Sequence, residues 1–143
     1  MKFKGQAAIQ YISVVAISFL ILVPIFLYVN SSNAQFQDEL RSSYAKNLAL
    51  QVRDAADLVA IQGYPARASI DINVPDGITA VSFYQNEIEV DFYTNAGQSA
   101  AYAYSIANLT GDLSNLANVR GRHILIVKAQ SAADGSVFVN VTE

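Results

Sequence analysis

Three acidic residues that alternate along one short segment are the first candidates for chemistry. Glu87, Glu89 and Asp91 are each two residues apart, and residues with this spacing share one face of a β-strand. Three carboxylates on one face would suit a calcium ion. A sheet with one wet face alternates polar and apolar residues in the same way, so we interpret this row as a solvated outer face. No metal site is predicted here.

The chain is poorly supplied with catalytic groups. His123 is the only histidine and cysteine is absent, so a histidine-containing triad or a thiolate metal cluster has too few members. We interpret His123 as an ordinary strand residue, because an isolated titratable group is weak evidence for a site. No phosphate-cradling glycine loop or nucleophile elbow occurs. The sequence predicts no enzyme and no cofactor.

Aromatic residues are frequent in the second half of the chain. Six of them, Phe83, Tyr84, Phe92, Tyr93, Tyr102 and Tyr104, lie in segments with strand character. They suit either a sugar-binding surface or packing in the core and between subunits. We favour packing, because aromatic residues are common in strands for that reason alone.

Three Asn-x-Ser/Thr sequons begin at Asn30, Asn108 and Asn140. Such sequons accept N-linked glycans when they face outward. Asn30 would lie in a long helix and be the least accessible of the three. Asn108 opens a predicted loop, so we expect it to be the favoured acceptor, with Asn140 as a further possibility.

These residues follow an N-terminal segment that is long enough to cross a bilayer. Gly5 to Gln37 carry no charge, and the apolar part, Ala7 to Val29, exceeds the ~20 residues that a spanning helix needs. Lys2 and Lys4 precede it, whereas Asp38 and Glu39 are the first charges after it. The excess of positive charge before the span predicts a cytoplasmic N-terminus and an outward-facing C-terminal part.

Two cleavage sites compete at this N-terminus. Ser32-Asn33-Ala34 fits the small-x-small site of a secretory signal, but the apolar segment is longer than the usual ~7–15-residue core. The other site, Lys4-Gly5-Gln6, precedes the apolar segment, so cleavage there would leave the hydrophobic helix on the mature protein. We favour the second site over secretory cleavage. A signal anchor that is never cut is the third reading, because any single-span protein with an outward C-terminus shows basic residues before the span.

The segment Lys4-Gly5-Gln6-Ala7-Ala8-Ile9-Gln10-Tyr11-Ile12 resembles the class III signal peptide of archaeal type IV pilin-like proteins. In that family a short basic leader ending in Gly is cut before Gln by a prepilin peptidase, and a long helix follows. The resemblance covers about thirty residues and implies cleavage between Gly5 and Gln6. It departs from the family at Gln10, where Glu is usual and is thought to pair with the N-terminal amine of a neighbouring subunit. Gln10 can still accept a hydrogen bond from such an amine.

The periodicity beyond the apolar segment predicts that the helix continues. Phe36, Leu40, Tyr44, Leu48, Val52 and Ala56 recur every four residues, and Leu58 and Val59 extend the stripe. Gly63 and Pro65 end it. A helix over residues 6–62 would be roughly 85 Å long, which exceeds one bilayer crossing. Pro24 lacks the N–H that would bond to the Leu20 carbonyl, so we expect a kink there.

The periodicity changes from 3.6 to 2 after Pro65, which predicts strands. The predicted strands are Ala68 to Val74, Ile78 to Tyr84, Glu87 to Thr94, Ser99 to Ile106, His123 to Ala129 and Ser136 to Thr142. Asn108 to Gly121 is interpreted as a loop, and the last two strands are expected to pair around Ala133-Asp134-Gly135. The predicted fold is α+β: a long N-terminal helix, residues 6–62, followed by an antiparallel sheet or sandwich. We call this β-rich part, residues 66–143, the headpiece.

The sequence therefore predicts a structural protein. Residues 1–5 form a leader, and the helix leaves lipid only by packing against other copies of itself in an extracellular filament that resembles a type IV pilus. The expected packing residues in the filament core are Ile9, Ile12, Val15, Phe19, Leu22 and Phe26. The expected partners are other copies, prepilin peptidase with its assembly machinery, and the membrane before assembly. Nine Lys and Arg residues spread along a chain of net charge −3 give no footprint for nucleic acid. The alternatives are a minor pilin and a single-span surface binding module, either an adhesin or a sensor ectodomain.

Overall fold

A computed structural model describes residues 3–117, 119–132 and 136–143, with side chains described from Ile9 onward. It divides into an N-terminal unit that ends at Gln37 and a C-terminal unit, Asp38–Glu143. Met1 and Lys2 of the predicted leader, and the predicted turn at Ala133-Asp134-Gly135, lie outside the described residues.

One α-helix and seven strands form the described fold. Helix α1 covers Phe3–Gln62, and its first part is long and apolar enough to cross a membrane. The strands are β1 Arg67–Val74, β2 Ile78–Tyr84, β3 Glu87–Thr94, β4 Gly97–Tyr104, β5 Asn108–Asp112, β6 Gly121–Ser131 and β7 Val137–Thr142, with a short 3-10 helix at Ser114–Leu116. The α+β prediction is confirmed.

Gly63 ends α1 by adopting a left-handed conformation. Its φ is +69°, and its N–H donates to the Val59 carbonyl at 3.0 Å. A glycine in this position satisfies a terminal carbonyl of the helix without steric cost. The chain then turns into β1, as Gly63 and Pro65 predicted.

The strands form two sheets. Sheet A has the order β1-β6-β7-β5, and sheet B has the order β2-β3-β4. All neighbours are antiparallel except β5 and β7, which run parallel with Leu109 opposite Val139. The purely antiparallel arrangement expected from the sequence is therefore wrong at this one pair.

A single core joins both sheets to the second half of α1. The helix contributes Ala45, Leu48, Ala49, Val52, Ala55, Ala56 and Val59, all buried. Sheet A contributes side chains such as Ile72, Leu125 and Val139, and sheet B contributes Ile88, Val90 and Phe92. The helix residues after Asp38 thus belong to the same packed unit as the headpiece.

The segment predicted as a loop, Asn108 to Gly121, is wrong in its first part. Asn108–Asp112 forms β5, and Gly111 lies where its backbone passes very close to β7. A Cβ atom on Gly111 would be 2.1 Å from the carbonyl oxygen of Val141, and the φ of Gly111 is +155°. Glycine inside a strand often marks such a close approach of two backbones, so this glycine permits pairing instead of ending it.

The predicted apolar stripe on α1 is correct only in part. Leu48, Val52, Ala56 and Val59 are buried, whereas Phe36, Tyr44 and Leu58 are 58, 53 and 52% exposed. A step of four residues turns the helix by about 40° more than a full turn. A run at i+4 therefore drifts around the helix and cannot stay on one face.

Candidate assembly surfaces

The N-terminal unit presents a continuous apolar surface. Every large apolar side chain from Ile9 to Val29 other than Val15 is between 52 and 75% exposed, and no charged residue lies between Gly5 and Gln37. In the described part of this unit, α1 is the single element. The surface thus lies all round the helix.

Two serines within this surface donate to backbone carbonyls of the same helix. The hydroxyl of Ser13 donates to the Ile9 carbonyl at 2.9 Å, and that of Ser18 donates to the Val14 carbonyl at 2.8 Å. Hydroxyls that bond back to the preceding turn need no water. These serines are therefore compatible with an apolar environment, in which each unsatisfied polar group costs several kcal/mol.

The predicted packing residues lie on this surface. Ile9, Ile12, Phe19, Leu22 and Phe26 are exposed by 58–68%. Val15 is half-buried. None of them is needed for the core of the C-terminal unit.

The residues of the predicted leader motif lie in the first turns of α1. The backbone of Lys4, Gly5 and Gln6 is helical, and Gln10 and Tyr11 are exposed. Helix α1 continues through Pro24, whose missing N–H leaves the Leu20 carbonyl without its usual partner. The cleavage between Gly5 and Gln6 and the kink at Pro24 stay predictions.

The outer face of sheet B combines the acidic row with tyrosines. In the strand register, Glu87 lies opposite both Tyr84 and Tyr104, and Glu89 lies opposite Tyr102. The hydroxyl of Tyr102 donates to Glu89 at 3.0 Å, and that of Tyr104 donates to Glu87 at 3.3 Å. We call Glu87, Glu89, Asp91, Tyr102 and Tyr104 the acidic face. Its carboxylates are half-buried and its tyrosines are exposed, so the predicted solvated face is partly covered by its own aromatic residues.

The carboxylates of the acidic face influence the neighbouring ionisable groups. Burial, followed by the charge of Glu89, raises the pKa of Asp91 above its usual range. The hydrogen bond to Glu89 is the largest cause that raises the pKa of Tyr102, and the charge of Glu87 is the largest that raises the pKa of Tyr104. The charge of a neighbouring carboxylate contributes to all three shifts, so the face is negative.

The six aromatic residues divide between the core and the surface. Phe92 is buried and Phe83 packs against the core. Tyr84, Tyr93, Tyr102 and Tyr104 are 49–62% exposed. Packing is thus shown for the two phenylalanines, and the four tyrosines are available to a partner.

The outer face of sheet A carries three cations along β1 and β6, with Asp71 beside them. Arg67 of β1 lies directly opposite Lys128 of β6, and Ile124 and Ile126 follow on the same side of β6. Arg122 is also on this side and pairs with Asp71, and this hydrogen bond and charge hold the pKa of Asp71 below its usual range. We call Arg67, Lys128, Arg122, Ile124 and Ile126 the basic face.

Arg67 and Lys128 lie directly opposite each other in the ladder of β1 and β6. The N–H of Ala129 donates to the Ala66 carbonyl at 2.9 Å, so the next pair along the ladder, Arg67 with Lys128, is of the non-hydrogen-bonded type. Side chains approach most closely in such pairs, and like charges directly opposite each other are destabilising. Among the ion pairs of the described residues, neither cation has a carboxylate partner.

His123 is a strand residue, as predicted, and it has a partner. It lies in β6, and its Nδ1 is 2.6 Å from Oε1 of Glu143. The sequence interpretation of an isolated histidine missed this pair. Within the described ranges, no three His, Asp or Glu residues are grouped closely enough to hold a metal ion.

The sequons differ in their surroundings. Asn108 is exposed at the first residue of β5, whereas Asn140 is half-buried in β7, between β6 and β5. Asn30 is exposed on α1 in the N-terminal unit. Asn108 is the sequon at the edge of its sheet.

Two carboxylates of α1 that the sequence analysis did not single out as functional hold the headpiece. Asp38 accepts from the Asn95 N–H at 3.0 Å, at the turn between β3 and β4. Asp57 accepts from the Ser105 hydroxyl at 2.6 Å and from the Ile106 N–H at 3.0 Å, just after β4. No periodic pattern marks them, because each contact joins positions about fifty residues apart.

Comparison of the chain with protein-family models, with curated proteins and with solved structures gives no match.

Proposed function

We propose that this chain is the structural subunit of an extracellular filament that resembles a type IV pilus. The subunit is inserted in the membrane as a prepilin, cleaved after Gly5 by a prepilin peptidase, and polymerised through α1. The observation that carries the proposal is the apolar surface from Ile9 to Val29, on a helix whose later part is built into a folded headpiece.

The energetics of this surface support assembly. Large apolar side chains gain about 1.5–3 kcal/mol each when they leave water. The surface as a whole therefore favours an environment without water by roughly tens of kcal/mol. Lipid supplies it before assembly, because residues 9–29 match a hydrocarbon layer of about 30 Å. Outside the membrane, only similar helices on every side can replace lipid.

Leader cleavage has a physical purpose in this scheme. Lys2 and Lys4 would place two ammonium groups at the end of the apolar surface, and a buried charge is costly unless it is paired. Removing residues 1–5 converts a membrane anchor into a subunit that packs along its whole N-terminal part. Gln10, which is uncharged, is easier to bury than the Glu of the family pattern.

Two variants test the processing step. Gly5→Asp should leave the chain in the membrane, still beginning at Met1, and should abolish surface fibres. Ala34→Leu removes the small residue of the alternative secretory site and should leave fibres unchanged. The readouts are the mass of the mature chain and electron microscopy of sheared fibres. Fibres built from uncut Gly5→Asp subunits would contradict the proposal.

The four exposed tyrosines favour a second candidate, a surface-anchored binding module. Tyr84, Tyr93, Tyr102 and Tyr104 offer the amphipathic contact area that is common at binding sites. In that case α1 simply holds the headpiece at the membrane. An uncut chain that begins at Met1 and never enters fibres would favour this candidate, and a chain that begins at Gln35 would indicate a secreted domain.

A further inference from the structure

We infer that the basic face of one headpiece binds the acidic face of the next copy, so that neighbouring subunits are joined by their sheets as well as by their helices. This inference rests on the proposed filament function. It starts from the two outer faces, which belong to different sheets of one unit and are unlike in charge.

The charges of the two faces are complementary. Arg67 and Lys128 are opposite each other without a carboxylate partner in the described structure, and a carboxylate placed between them would relieve their repulsion. Glu87 and Glu89 each accept a hydrogen bond from a tyrosine hydroxyl. Because a carboxylate has about four acceptor positions, both retain capacity for a cation from another chain.

The apolar parts of the two faces also match. On the basic face, Ile124 is 57% exposed and Ile126 lies beside it. On the acidic face, Tyr102 and Tyr104 are 49 and 62% exposed. Tyrosine is enriched at protein interfaces, and its ring attracts Lys and Arg through the cation–π interaction. Isoleucine against tyrosine, flanked by opposite charges, thus gives the contact both apolar burial and charge pairing.

The geometry of the contact favours a filament. Both sheets bury their inner faces in one core, so the two outer faces are different surfaces of the same subunit. A contact between unlike surfaces is heterologous, and it generates an open helical array when the rotation does not close. A two-fold dimer through either face alone would instead place that face against its own copy, so that like charges meet, which is unfavourable.

Charge reversal in the full chain tests this contact. Lys128→Glu and Glu89→Lys should each lower the amount of sheared fibres about tenfold or more at low salt, because like charges then meet. The double variant carries both reversals in every subunit, so opposite charges meet again and fibres should return. Recovery in the double variant is the decisive readout, because loss of the Tyr102 hydrogen bond alone would not be repaired by a change at Lys128.

Two further measurements separate the contact from folding. Arg120→Glu makes the same change in charge at an exposed residue outside both faces and should leave the fibre yield unchanged. The described chain has no cysteine, so Lys128→Cys combined with Glu89→Cys should give covalent multimers when assembled fibres are oxidised, whereas either cysteine alone should not give a ladder. The cross-linking result does not depend on whether the charge-reversal variants fold.

The outcomes are distinct. Normal fibres from both single reversals, with no ladder from the double-cysteine chain, would overturn the contact and leave the filament proposal intact. Absence of fibres from the unaltered chain would overturn the filament proposal and, with it, this inference.

Discussion

The carboxylate of Asp57 on α1 accepts a hydrogen bond from the hydroxyl of Ser105 at 2.6 Å. Ser105 is 4% exposed, and its oxygen also accepts from the Ala107 N–H at 3.1 Å. The same carboxylate binds the Ile106 N–H. This small network fixes the connection from β4 to β5, where the chain passes from sheet B to sheet A, against the helix.

Asp57→Ala should therefore destabilise the C-terminal unit. The substitution leaves the buried Ser105 hydroxyl and the Ile106 N–H without their acceptor, and a buried unsatisfied group costs about 1–3 kcal/mol. We expect the free energy of unfolding, measured by urea denaturation of the full chain in detergent, to fall by about that amount. Asp54→Ala is the matched control, because Asp54 is exposed and pairs only at the surface with Arg53; its cost should stay below about 1 kcal/mol. Equal effects of the two variants would refute a special role for Asp57.

Gly111→Ala should disrupt the parallel pairing of β5 with β7. The new methyl group would meet the Val141 carbonyl oxygen at 2.1 Å, so the two backbones must separate at a cost of about 1–3 kcal/mol or more. Gly97→Ala controls for conformational strain, because Gly97 also has a positive φ, +129°, but has open space around it. The midpoint of thermal unfolding should fall clearly further for Gly111→Ala than for Gly97→Ala. A loss no greater than that of Gly97→Ala would mean that the close approach is unimportant.

Asp91→Asn should stabilise the headpiece at neutral pH. The folded state raises the pKa of Asp91 through burial and the charge of Glu89, so the ionised carboxylate disfavours folding at pH values above that raised pKa. As the pH falls through the folded pKa and then below the unfolded value of 3.8, the carboxyl group becomes neutral in both states and the penalty disappears. The midpoint of thermal unfolding should be higher for Asp91→Asn at pH 7 and equal to that of the unaltered chain below the unfolded pKa.

Asp112→Asn is the control of opposite sign. The Asp112 carboxylate accepts from the Ser114 N–H at 2.9 Å, and hydrogen bonds to Ser114 hold the pKa of Asp112 below its usual value of 3.8. Its contribution to stability is present above 3.8 and is lost as the pH falls through the folded pKa. Asp112→Asn should therefore lower stability at pH 7. If both variants shifted stability in the same direction, the electrostatic explanation would be wrong.

N-linked glycosylation should occur at Asn108 in preference to Asn140. Asn108 is exposed at the edge strand β5, whereas Asn140 is half-buried in the interior strand β7, where a bulky glycan has less access. Intact mass should therefore fall by one glycan in Asn108→Gln and should not change by a glycan in Asn140→Gln. A glycan found on Asn140 alone would contradict this prediction.

Local patterns predicted much of the fold. The alternation in β3 and the turn residues before β2 and β3 gave the bounds of β2 and β3, because a half-buried strand imposes a period of two on its side chains. The end of α1 at Gly63 followed from the conformational freedom of glycine. Such features depend on neighbours in the sequence, and they were predicted within a few residues.

Contacts between distant positions were harder to predict. Gly111 indicates a loop when read alone, and only the proximity of Val141 shows that it belongs to a strand. Tyr44 fits an i+4 stripe, but the drift of that stripe takes it out of the core. The acidic row was recognised from its spacing, whereas its tyrosine partners depend on the register of β3 with β4.

The most direct test of the filament proposal is the mass of the polypeptide in purified, sheared surface fibres. The account predicts that the fibres contain this chain beginning at Gln6, with the apolar surface of residues 9–29 buried among copies. Fibre preparations without the chain, and a chain found only as a single molecule in lipid or in solution, would contradict it.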